Sequence, residues 1–416
     1  MQHSPKQQPK MLSAEQAITQ MLAEVQPLVQ QETVPLAAAL DRVLAKPVLS
    51  EMNVPGYDNA AMDGFAMRVA DIKPNQPLVV VGKALAGHAY TAKVPSGSCV
   101  VITTGAVLPP ELDTVVMQEQ VNLTQTETEQ HIVCQLVPLV GEHVRRAGED
   151  IAKDQPVFAA GHKLRPADLG LLASLGFASV TVIRQLNVAI FSSGDELIAP
   201  GQPLPDGHIY DSNRYVIAAM LQRLGVKILD LGLLPDEPAA IEQAFLQAMA
   251  NADVLITSAG VSVGEADYTR HILQKLGDIN FWQVAIKPGK PFAFGKLNHC
   301  WFFGLPGNPV AAVVTLEQLV QPILGKLSGE APVAEGTLLR AECQVALKKQ
   351  PGRQDYQRGW YWQDGQGLKV KTLGRQSSGM LSSIANANCY IVLPADSASL
   401  PAGESVLILP FSTMLR

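Results

Sequence analysis

In some stretches of this chain apolar residues return every three or four positions, and in others they run together or alternate. The two patterns divide it into regions. Ala17, Ile18, Met21, Leu22 and Val25 recur at helical spacing, with Ser13 and Gln16 placed for a capping box ahead of them and Pro27 behind. A second short helix is predicted from Leu36 to Leu44. From about residue 48 to 143 the period shortens. The runs LVVVGKAL, SCVVITTGA, TVVMQEQV and HIVCQLV alternate with Gly and Pro turns and predict a small all-β module. Helix signals return at Arg165, with Pro166 in a first-turn position, Asp168 behind it and Gly176 as the stop.

Residues 185 to 327 alternate between the two periods. Strand NVAIF is followed by a helix over 213–224, whose Val216, Ile217, Met220, Leu221 and Leu224 form one stripe. Then come strand VKILDL, helix 238–250, strand DVLITS, helix 267–276 and strand FWQVAI. A Gly/Pro-rich hairpin, strand CWFFG and a long helix from Pro309 close the unit. Such alternation means βαβ units and a mainly parallel sheet. Beyond Leu327 the helical signal stops, and short strands with a turn at Asp364-Gly365 predict a small β-barrel.

A length of 416 residues allows two to four domains at ~150 residues each. Only 17% of the residues are charged, against a usual ~25%, so each local cluster of charge stands out. Acidic residues outnumber basic ones by 38 to 32 with no basic stripe, which argues against nucleic acid as a partner. The closest cysteines, Cys99 and Cys134, are 35 positions apart, so there is no C-x-x-C motif. The odd, scattered set of five predicts reduced thiols and a cytoplasmic location. The N-terminal MQHSPKQQPK has no apolar core of a signal peptide, and the uncharged run Leu169 to Ile183 is too short and interrupted to span a membrane. Neither G-x-x-x-x-G-K-[ST] nor G-x-G-x-x-G occurs.

In an open parallel sheet, ligands bind beyond the carboxyl ends of the strands. The segments that follow the predicted strands are Ser192-Ser193-Gly194-Asp195-Glu196, Pro235-Asp236-Glu237-Pro238, Ser258 through Asp267, Lys287-Pro288-Gly289-Lys290 and Pro306-Gly307-Asn308-Pro309. Carboxylates, hydroxyls, lysines and glycines therefore recur on one edge, which carries more weight than any single motif. Each element also has a purely structural explanation. Asp195 and Glu196 suit a helix first turn, Asp236 a cap, and Asn308-Pro309 an ordinary helix start. That same helix start aims free N–H groups at the crevice, and two lysines on a rigid turn suit an anion. Gly260-Val261-Ser262-Val263-Gly264 matches G-x-S-x-G, but the serine lies beyond the strand end without an oxyanion segment or triad setting. A glycine-rich loop whose hydroxyls bind an oxyanion is the better reading than a serine hydrolase. Outside the sheet, Asp58 to Phe65 suits a tight Asp-Gly turn, Arg145 to Asp150 a solvated linker, and Arg353 to Gly359 a charged strand edge.

Taken in order, PGYDNAAMDGFA (55–66), TTGA (103–106), RRAGED (145–150), SSGDEL (192–197), GVSVGEADY (260–268), KPGKP (287–291) and GLPGNP (304–309) resemble the molybdopterin molybdenumtransferases and span nearly the whole chain. The resemblance implies a multidomain α/β plus β fold. It consists of a discontinuous helical domain (11–47 with 144–184), a β insertion (48–143), a parallel-sheet α/β domain (185–328) and a C-terminal β-barrel (329–416). It implies insertion of molybdenum from molybdate into adenylylated molybdopterin with release of AMP, dependent on Mg²⁺. The implied partners are a second copy, sharing composite active sites, and the upstream molybdopterin adenylyltransferase; no nucleic acid or membrane is involved. The residues that match catalytic positions are Asp63, Asp150, Glu196 and Asp267, with Asp63, Asp150 and Glu196 as metal ligands. Those that match substrate-binding positions are Thr104, Ser193, Asp236, Ser262, Lys287, Lys290, Pro306, Arg358 and Ser378. Ala259 replaces the first glycine of the usual S-G-G-V-S. Gln283 stands where close relatives can have Lys, so one cation of the expected anion site is missing. Retention of Asp63, Glu196, Asp267 and Lys287 favours an enzyme over a pterin-binding scaffold without turnover. Carboxylates facing a pyrophosphate make sense only with a divalent cation between them.

Overall fold

The computed structural model describes residues 11–258, 272, 273, 275–332 and 337–416. The first helix, Ala14–Glu24, carries the predicted capping box: Gln16 N donates to Ser13 Oγ at 3.1 Å and Ser13 N to Gln16 Oε1 at 3.0 Å. Its buried face, Ala17 and Met21, joins Val25 in the core of the α/β domain, and Lys326 Nζ donates to the Leu22 carbonyl at 2.7 Å. The strand Gln31–Pro35 pairs antiparallel with Ser179–Ile183, which stitches together two segments far apart in sequence. Between Leu36 and Leu44 only one 3₁₀ turn forms, Leu36–Ala38. The expected helix loses because Asp41 takes a φ of +60°. The N–H groups of Asp41 and Leu44 bond instead to the carbonyls of Leu164 and His162.

The β insertion is a six-stranded sheet. Its strand order is 114–117, 64–67, 98–102, 78–84, 130–134, 121–125, with an apolar cluster on each face. A Cβ on Gly64 would stand 2.0 Å from the Val116 carbonyl oxygen. Only glycine lets the chain turn into this sheet directly after Asp63.

The α/β domain holds a second six-stranded sheet, ordered 227–234, 187–193, 254–258, 300–305, 291–297, 278–283. The first four strands are parallel, and 291–297 runs antiparallel to both neighbours. Alternate residues of one strand enter opposite cores. Val188 and Ile190 pack with the helices Asn213–Arg223 and 309–327, whereas Ala189 and Phe191 pack with Pro238–Asn251. Each fully buried phenylalanine here, such as Phe245 or Phe302, contributes about 1.5–3 kcal/mol by burial. The 309–327 helix is long and apolar enough to cross a membrane, but 72% of its most apolar 18 residues are buried inside the molecule. It is the central core helix, and its middle turn, Leu316–Val320, is π-helical. The predicted helix 267–276 lies mainly outside the described residues, as does the G-x-S-x-G loop.

At the C-terminal end, strands 354–364, 367–372, 339–343, 405–410 and 389–393 pair in a closed ring, the predicted barrel. Its first hairpin turns between Asp364 and Gly367, as the Asp-Gly signal predicts.

Candidate active site

The topological switch point of the α/β sheet lies between strands 187–193 and 254–258, whose chain connections leave in opposite directions. Their ends are tied together there. Ser192 Oγ donates to Asp211 Oδ1 at 3.1 Å and lies 3.3 Å from Ser258 Oγ. Asp211 is buried, and its other oxygen accepts from Arg214 Nε at 2.9 Å. A second guanidinium nitrogen of Arg214 reaches Asp230 at 2.5 Å.

Just above this clamp stands an acidic lip. Asp236 N donates to Asp195 Oδ1 at 3.2 Å, and Ser193 shares a side-chain hydrogen bond with Asp236. A Cβ on Gly194 would lie 2.7 Å from Glu196 Oε2, so that carboxylate folds back over the glycine turn. Burial, joined by the charges of Asp195 and Glu196, pushes the Asp236 carboxyl above the usual aspartate range despite the Ser193 bond. None of the three acids has an ion-pair partner among the described residues.

Along the same edge lies the loop between strands 278–283 and 291–297. Val284 N donates to the Lys290 carbonyl at 2.8 Å, and Gln283 pairs with Pro291 beside it. Gly289 has φ +116°, and a Cβ there would come within 2.5 Å of Thr315 Oγ1 on the core helix. The turn therefore packs backbone to helix with no room for a side chain. Lys290 is exposed, and Lys287 Nζ lies 3.3 Å from Asp355 Oδ2 of the barrel.

Pro306 is buried, and the turn after it is held from two sides. Asn213 Nδ2 donates to the Gly307 carbonyl at 2.7 Å, and Val310 N donates to the Ser378 carbonyl at 3.0 Å. Asn308 occupies the cap position without a side-chain cap bond, so the helix start is not wholly free for a ligand: the barrel segment takes one of its N–H groups. Arg358 is 1% exposed, and burial pulls its pKa down. It donates from Nε to Ser383 Oγ at 3.0 Å and from Nη2 to the Ser377 carbonyl at 3.1 Å. Its guanidinium thus holds the segment that presents Ser378 to the helix start.

Asp58 and Asp63 of the insertion, and Asp150 beyond its end, have their own local partners. Thr104 donates both its N–H and its hydroxyl to Asp63 Oδ1, at 2.7 and 2.8 Å. Asp58 accepts from Arg146 at 2.6 Å and from Ala147 N at 2.8 Å. Asp150 is exposed, its backbone bonded to Val54. Among the described residues no hydrogen bond or ion pair joins residues 48–143 to 187–328. The chain thus gathers Ser193, Glu196, Asp236, Lys287, Lys290, Pro306, Arg358 and Ser378 along one edge and leaves Asp63 and Thr104 on the insertion and Asp150 in the helical domain. Ser262 and Asp267 lie outside the described residues.

Four residues of this edge escape a motif search: Asp211, Asn213, Arg214 and Asp355. The run Asp211-Ser212-Asn213-Arg214, charged and polar at a helix start in a charge-poor chain, is the signal for three of them. Asp355 had only the arginines around it as a signal.

The chain matches three family models: the MoeA N-terminal region (domains I and II) over residues 12–176, a probable molybdopterin-binding domain over 189–326, and the MoeA C-terminal region (domain IV) over 340–411. A molybdopterin molybdenumtransferase of Haemophilus influenzae is 46% identical over 97% of this chain and all of its own. One from Bacillus subtilis is 32% identical over 91% of this chain and 89% of its own. The crystal structure of the molybdopterin biosynthesis MoeA protein of Pyrococcus horikoshii superimposes with a TM-score of 0.82 at 26% identity, covering 97% of this chain and all of that one. With relatives of this similarity along nearly its whole length, the chain belongs to the molybdopterin molybdenumtransferase family.

Proposed function

We propose that the protein inserts molybdenum from molybdate into adenylylated molybdopterin and releases AMP. The observation that carries this reading is the meeting of an acidic lip and a basic loop on one sheet edge. Asp195, Glu196 and Asp236 have no ion-pair partner among the described residues, while Lys287 and Lys290 stand on a rigid turn. Both substrates are anions. The loop lysines and the Ser378-bound helix start suit the tetrahedral oxyanion, and Ser193 and the acids suit the anhydride end.

The acidic lip fits Mg²⁺. Its donors are hard carboxylate oxygens, and burial, joined by the charges of Asp195 and Glu196, raises the Asp236 pKa. Among the described residues no group of three or more His, Cys, Asp or Glu converges into a cage. Glu196, with Asp63 and Asp150, would hold it, and Asp267 would join the catalytic set. When bound, it neutralises charge on the pyrophosphate. The protein's own groups supply positioning and electrostatics, and no covalent nucleophile is required.

Because Asp63 and Thr104 sit on an insertion that, among the described residues, shares no hydrogen bond or ion pair with the α/β edge of the same chain, we read the active form as a homodimer with composite clefts. A cytoplasmic location and supply of adenylylated pterin by an upstream adenylyltransferase belong to the same reading. AMP release from adenylylated molybdopterin on addition of molybdate tests it. Binding of the pterin with no molybdate-dependent AMP would make the protein a scaffold instead.

A further inference from the structure

Lys287 and Asp355 belong to different domains and meet at a short parallel strand pair. Ile286 pairs with Gln354 and Lys287 with Asp355, and Gln354 N donates to the Ala285 carbonyl at 2.8 Å. The loop that carries both lysines is therefore fastened to the first strand of the barrel. Asp355 is 2% exposed. Its Oδ2 lies 3.3 Å from Lys287 Nζ and 3.5 Å from Gln357 Nε2, while its Oδ1 is buried without a hydrogen-bond partner. A buried carboxylate is costly unless a charge compensates it. The charges that do so here are the Lys287 ammonium and the nearby Arg358 guanidinium. The dependence is one-sided. The Lys287 side chain is 44% exposed, and water alone could solvate its ammonium. What it gains is a fixed direction, since a lysine side chain has much rotamer freedom to lose when it binds a ligand.

We propose that Asp355 is the positioning residue of Lys287: it holds the ammonium in place before the oxyanion arrives, so the barrel sets the oxyanion affinity of a loop that belongs to the α/β domain. The identity of that oxyanion as molybdate rests on the function proposed above. A carboxylate behind a lysine also repels an anion in front of it. On this proposal the lysine stands between the two charges and is the nearer to the anion, so pre-ordering outweighs the repulsion.

The test compares Asp355→Asn, Lys287→Ala and the double variant with the wild type. Molybdate binding is measured by titration calorimetry, and AMP release is measured against each substrate. Asp355→Asn is expected to weaken molybdate binding about tenfold, raising the molybdate KM more than it lowers kcat, with the pterin KM within about twofold of wild type. Once Lys287 is alanine, the second change should add less than about twofold, because Asp355 then has nothing to hold. Asp355→Glu, which keeps the charge but displaces it, should fall between wild type and Asn. It also carries the test should the Asn variant fail to fold. Equal or tighter molybdate binding by Asp355→Asn overturns the role, as does an equal loss in both Lys287 backgrounds, or, for the Glu variant, molybdate binding unchanged from wild type. A wild-type protein that binds no molybdate would sink the proposed function itself, which is a separate result.

Discussion

Thr104 closes over Asp63 with two donors, its backbone N–H at 2.7 Å and its hydroxyl at 2.8 Å, both on Oδ1. The backbone bond, with the hydroxyl second, holds the Asp63 carboxyl below the usual aspartate range. A depressed folded pKa favours the ionised, folded form above the ordinary aspartate pKa. That advantage is lost as pH falls through the depressed value. Thr104→Val should move the Asp63 titration, followed by carbon NMR, upward towards the ordinary value and lower turnover. An unmoved titration would show the hydroxyl to be irrelevant to this acid.

Metal removal is the second test. Burial and the neighbouring acids raise the Asp236 pKa, so a divalent ion at the lip should relieve the repulsion. Chelated protein should release no AMP until Mg²⁺ is restored, and Asp236→Asn should shift the Mg²⁺ requirement. Full turnover in excess chelator would exclude a metal bridge.

For the anion loop, Lys290→Ala should raise the molybdate requirement roughly ten- to a hundredfold, the worth of a charge-assisted contact of ~1.5–3 kcal/mol. Gln283→Lys adds a cation beside Pro291 and should lower it. Identical molybdate dependence in both variants would move the oxyanion elsewhere.

Gly289→Ala strikes the same loop through packing. With φ +116° and Thr315 Oγ1 only 2.5 Å from the new Cβ, the turn must shift off the core helix. A loss of about 1–3 kcal/mol in chemical denaturation is expected, together with weaker molybdate binding. Wild-type stability and affinity would mean that the turn relaxes freely.

Shared clefts predict complementation. Asp63→Asn and Lys287→Ala homodimers should each be nearly inactive. A doubly tagged mixed dimer has one cleft with both lesions and one with neither, and should recover about half of the wild-type activity. A folded mixed dimer as inactive as its parents would place both groups in one chain's site.

The order of elements, and which polar residues follow each strand, were legible in the sequence because both depend on local rules. The Ser13–Gln16 capping box, the 213–223 helix stripe, the Asp364 hairpin and the run of polar strand ends follow from spacing within a few residues. The motifs that carry the family resemblance are likewise contiguous. The tertiary structure decided what depends on distant partners. The expected 36–44 helix gave way to bonds with residues 162 and 164, more than a hundred positions away. The first helix buried its stripe in the α/β core. Arg358 turned inward to hold the Ser378 segment, and Asp355 was set against Lys287 across a domain boundary. An isolated arginine or aspartate reads the same whether it faces solvent or a partner 68 positions away. Periodicity fixes which face of an element is apolar, but only packing fixes which other element covers it and which charges meet at the edge.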